Sequence, residues 1–252
     1  MTTYCIYMIQ NLVHTEHHYI LYASGMFLFY LYYLMFDKIL MCTNGNYRDL
    51  SQDKKMYAVS NISKSLALCL LTYPAYNILY DTMYEDKWNN TVIRNMGVLY
   101  AIPDTVSLLI VNKMDISTKI HHVVVCIFNI ASLQNDYGEE NVMRCMVVYS
   151  SFSSFAFIVN FMLGTRYLYD NKQFNKYLSR ISFILYGSCC VISWIWHLFY
   201  MPYIYNKCES SMCVYGISMY GTMIMTVVYD DIVLNKWLYK KSDFKSLIFK
   251  SQ

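Results

Sequence analysis

The sequence predicts an all-α polytopic membrane protein with seven transmembrane helices, on three observations. First, 56% of its 252 residues are hydrophobic and only 15% are charged, against about 25% charged in soluble domains. Second, seven segments approach the roughly 20 mostly apolar residues that cross a bilayer as a helix: 19–36, 60–80, 91–111, 120–133, 145–163, 181–201 and 214–233. Third, with seven spans the basic residues divide unequally. Lys87, Arg94, Arg144 and Lys207 fall on one side, and the other sixteen of the twenty fall on the opposite side. Such an excess marks the cytosolic face, so the N-terminus is expected outside or in a lumen and the C-terminus in the cytosol.

The spans follow in order. The N-terminal flank lacks the basic n-region and small-residue cleavage site of a signal peptide, so the first span is expected to be kept. The second and third spans carry Pro74 and Pro103, tolerated in membrane helices because neighbours satisfy the freed carbonyls. The fourth is the shortest unless Lys119 snorkels at its start. The fifth holds the serine-rich stretch "YSSFSSF", the sixth the vicinal Cys189-Cys190, and the seventh closes on Asp230-Asp231. In the lumenal loop between spans two and three, Asn89-Asn90-Thr91 is a glycosylation sequon. Cys208 and Cys213 fall in the lumenal loop before the last span, where a disulfide is permitted; two free thiols are the alternative. The chain therefore divides into a flank, first span and cytosolic loop (1–55), a six-helix membrane domain (56–241) and a short basic cytosolic tail (242–252).

A net charge of +3 gives no footprint for nucleic acid, and the nine cysteines form no paired CxxC modules. The chemistry concentrates elsewhere. "KIHHVVVCIF" places His121 and His122 just inside span four, and Asp104 lies about two turns from the same end of span three. An ionisable group in hydrocarbon costs about 2–3 kcal/mol by insertion scales unless it is paired or faces a wet cavity. An acid–imidazole cluster of Asp104, His121 and His122 in one cytosol-facing pocket is the expected solution, with Asp230 and Asp231 beside it. No metal is expected, because no third spaced ligand accompanies the pair. His197, in "WIWHLFY", reads as an interfacial histidine in an aromatic belt.

The run "LYAIPDTVSLLI", then "NKMDISTKIHHVVV", then the ending "VLNKWLYKK" resembles the TLC family. That family comprises ceramide synthases, translocon-associated membrane proteins and TLC-domain lipid regulators. The resemblance covers about 56–241, with the first span as an added N-terminal helix. It departs in the fifth span, where relatives carry a carboxylate and this chain offers Ser150. The resemblance implies a protein of lipid metabolism in the endoplasmic reticulum. Its activity would be acyl-CoA-dependent N-acyl transfer to a lipid amine, with His121 or His122 as base or acyl acceptor and Asp104 as orienter. A non-enzymatic lipid-sensing or membrane-composition regulator is the alternative. Membrane lipids (a long-chain base and acyl chains) are the expected partners, acyl-CoA a substrate rather than a resident cofactor, and homo-oligomerisation is left open.

Overall fold

A computed structural model describes residues 2–243, with side chains from residue 7 onward. The last nine residues of the expected basic tail, with Lys245 and Lys250, lie outside the described residues. The described chain is entirely helical, without strands. It runs α1 (Thr2–Val13), α2 (His18–Thr43), α3 (Gly45–Arg48), α4 (Gln52–Met83), α5 (Asn90–Ile110), α6 (Ile116–Gln134), α7 (Arg144–Phe155), α8 (Phe157–Thr165), α9 (Lys172–Asn206) and α10 (Ser211–Ser242).

Asparagine and serine start several of these helices by occupying orphan backbone donors. Asn89 accepts from the Val92 amide at 3.2 Å, Asn171 from Phe174 at 3.0 Å, and Ser210 from Cys213 at 3.2 Å. Several helices outrun the apolar spans. α4 begins eight residues before position 60, α9 nine before 181, and α10 ends nine after 233. Their added turns are polar, and hydropathy does not register a solvated helical turn.

Four described helices, α2, α6, α9 and α10, are long and apolar enough to cross a membrane. The α7–α8 pair, bent by 48° at its break, makes a fifth if it is one span. α4 and α5 fall short because they bury polar residues, among them Ser60, Ser63, Asn95, Asp104 and Ser107. Large apolar side chains project outward all along the first group, including Phe27, Leu198, Phe199, Met219 and Met225. Soluble monomers rarely carry so extensive an exposed apolar surface.

Packing closes a ring. α5 lies between α4 and α6, α6 packs on α10, α10 on α9, α9 on α7 and α8, and these return to α4. α2 sits outside the ring against α5 and α4, and α1 covers the same pair. The helices approach closely where side chains are small. A Cβ on Gly164 would stand 2.8 Å from the Ala58 carbonyl and 3.1 Å from the Ile62 amide, so α8 can lie on α4 only with glycine there.

Candidate functional site

The ring encloses a cavity of about 240 Å³. Its lining includes Val111, Met114, Asp115, Ser117 and Thr118, where α5 ends and α6 begins. His121 and His122, in the second turn of α6, form part of its wall, joined by Lys64 of α4, Tyr149 of α7, Tyr186 of α9 and Asp230 of α10. The volume is below the ~300–1,000 Å³ of ordinary small-molecule sites. It has room for a small group and not for a long chain.

The two imidazoles diverge, as successive residues on a helix must. Their centroids are 5.7 Å apart and their planes cross at 74°. Each faces its own carboxylate. His122 Nδ1 stands 2.7 Å from Asp104 Oδ1, and His121 Nδ1 stands 3.5 Å from Asp230 Oδ2. Neither approach is a hydrogen bond of regular geometry at Nδ1. Asp230 also accepts from the Thr118 hydroxyl at 3.2 Å.

Asp104 is buried completely and does not line the cavity. The expectation of one pocket lined by all three residues is therefore corrected: Asp104 lies behind the wall, screened by His122 and Lys64. The Lys64 ammonium donates to the same Oδ1 atom that faces His122, while Oδ2 has no partner. A lone buried carboxylate would be prohibitively costly in this setting; the lysine supplies the counter-charge.

Asp231, one residue beyond Asp230, points elsewhere and is equally buried. It accepts from Tyr149 at 3.0 and 3.1 Å and from Tyr186 at 2.6 Å. Both phenols are lining residues, so Asp231 orients two cavity hydroxyls from behind. Ser150 is not on this wall. Its hydroxyl donates to the Val147 carbonyl at 3.1 Å, and it borders a separate, much smaller void with Asn129 and Tyr137; Ser153, one turn on, lines the main cavity instead.

The remaining sequence expectations place as follows. Asn89 is exposed as the N-cap of α5. Cys208 and Cys213 are joined in a disulfide. No group of three metal-ligating side chains occurs among the described residues. His197 is buried, with Nδ1 2.7 Å from the Ser193 carbonyl and Nε2 2.9 Å from the Tyr220 hydroxyl.

Sequence reasoning missed Lys64, Tyr149 and Tyr186. Lys64 left little signal, because near the start of span 60–80 it reads as a flanking charge. The two tyrosines had none, being two among twenty-seven. Comparison of the chain with protein-family models, with curated proteins and with solved structures returns no match.

Proposed function

We propose that this chain is a small multi-pass membrane protein of lipid metabolism that moves an acyl group from a thioester carrier to a lipid amine. The seven spans would be α2, α4, α5, α6, the α7–α8 pair, α9 and α10, in a TLC-type arrangement within the endoplasmic reticulum, with the cavity mouth toward the cytosol. One observation carries the reading: two histidines, each set against a carboxylate, share the wall of a cavity enclosed by the helical ring.

The chemistry follows from those positions. With Asp104 beside Nδ1 of His122, its Nε2 remains as the base, and the carboxylate stabilises the imidazolium that forms. The amine loses its proton to Nε2 as nitrogen attacks the thioester carbonyl. The C–N bond forms, the C–S bond breaks, and the imidazolium returns the proton to the departing thiolate. His121 with Asp230 offers a second, weaker-coupled base at 3.5 Å. Leu68, Ala156, Val159 and Leu163 give part of the wall an apolar face suited to an acyl chain that continues from the small cavity into the bilayer.

Lipid extracts of cells expressing the wild type are expected to gain long-chain N-acyl amides that cells expressing His122→Ala lack at equal protein level. Identical lipid profiles would favour the lipid-sensing regulator. One observation favours that second reading: Lys64 already compensates Asp104, leaving less of its charge for an imidazolium.

A further inference from the structure

Two lysine or arginine side chains line the cavity, and only one is neutralised. Lys64 is committed to Asp104. Arg166, the C-cap of α8, has no carboxylate within ion-pair distance among the described residues. Its guanidinium is instead packed among aromatic rings, 5.5 Å from the centroid of Tyr57, 4.8 Å from Tyr167 and 4.7 Å from Trp237. Those rings come from α4, the turn after α8, and α10. One N–H reaches the Tyr167 hydroxyl at 3.1 Å, and Nε is buried without a partner.

Aromatic faces hold a guanidinium in place without consuming its N–H donors. A planar fork so held, unpaired and on the wall of a cavity, has the geometry that takes two oxygens of a phosphate. Neighbouring Asn61 and Asn160 add neutral amides to the same wall. Two carboxylates also line the cavity: Asp115 at the N-cap of α6, and Asp230 of α10, which is already engaged by Thr118 and faces His121.

We propose that Arg166 is a phosphate-recognition residue. It would hold the phosphate of an amphiphilic ligand at the cavity wall, so that the ligand's reacting group lies toward His121 and His122. The inference deepens the acyl-transfer reading by locating the charged end of the substrate, but it concerns binding alone. The phosphate has two candidate sources: a soluble nucleotide thiol such as coenzyme A, or an anionic lipid headgroup from the bilayer.

The test uses the full chain in phosphatidylcholine nanodiscs. In one arm coenzyme A is titrated in; in the other, phosphatidic acid is doped into the disc and retained lipid is read by native mass spectrometry. Whichever probe binds the wild type is expected to bind Arg166→Met about tenfold more weakly, as for loss of one charge-assisted contact. Arg166→Lys should fall between the two, since charge remains and the fork is lost, and Trp237→Leu should weaken binding with the arginine kept. If Arg166→Met does not fold, Arg166→Lys and Trp237→Leu decide the matter. Wild-type affinity in variants that keep the wild-type melting temperature, or a wild type that binds neither probe, would overturn the proposal. Arg166-dependent binding without any acyl transfer would leave this inference standing and remove the acyltransferase reading.

Discussion

At the residue scale, the site is a matter of buried charge. Asp104 has no exposure and Lys64 very little, and removing one member of such a pair leaves the other desolvated and uncompensated, typically costing about 3–5 kcal/mol. Lys64→Met and Asp104→Asn are therefore each expected to lower the melting temperature in detergent markedly. The double variant should recover most of that loss, because both charges leave together, and should remain inactive. A double variant no more stable than the singles would show that Lys64 and Asp104 do not act as a pair. The pairing of Asp104 with a histidine was legible because a carboxylate in a span demands a partner and the depth along the helices allowed it. The lysine was not, because Lys64 counts as a flanking charge if the helix starts near position 60. With α4 starting at Gln52, the same residue sits three turns inside.

At the scale of elements, the fifth span is the clearest departure from the sequence reading. An unbroken helix was expected over 145–163, and the structure breaks it between α7 and α8. Neither proline nor glycine stands at the break. Ser150 and Ser154 donate instead to the Val147 and Ser150 carbonyls, at 3.1 and 3.0 Å. Such back-bonding bends helices, and a hydropathy profile cannot see it. The bend turns α8 so that Asn160 and Leu163 reach the cavity and Gly164 meets α4. Gly164→Leu is accordingly expected to cost about 1–3 kcal/mol or more, as for an overpacked core, because two of the three atoms it meets, the Ala58 carbonyl and the Ile62 amide, are backbone and cannot rotate away. Thermal unfolding should register the loss. A Gly164→Leu protein as stable as the wild type would place α8 farther from α4 than 2.8 Å allows.

For the whole molecule, the ring of α4 to α10 and the outer position of α2 give the small cavity its enclosure, and the proposed orientation gives it a side. That orientation predicts that a tag after the last residue is digested by protease added to sealed microsomes, and that any glycan is carried at Asn89 and not at Asn61. Protection of the tag would reverse the cavity to the lumen. The helical class and the approach of His122 to Asp104 could be read from apolar runs and from the cost of buried charge. The closure of the ring could not, because it depends on α6 meeting α10 across nearly a hundred residues. The measurement that bears most directly on the central claim is a reconstituted reaction. Purified protein in nanodiscs is supplied with acyl-CoA and a long-chain base, and the amide product is counted by mass spectrometry. The account predicts product with the wild type, at least a hundredfold less with His122→Ala (loss of a general base costs about 10²–10⁴), and a comparable loss with Asp104→Asn in protein that remains folded. Equal product from the wild type and from the variant with both His121 and His122 replaced by alanine, or no product from the wild type, would contradict it.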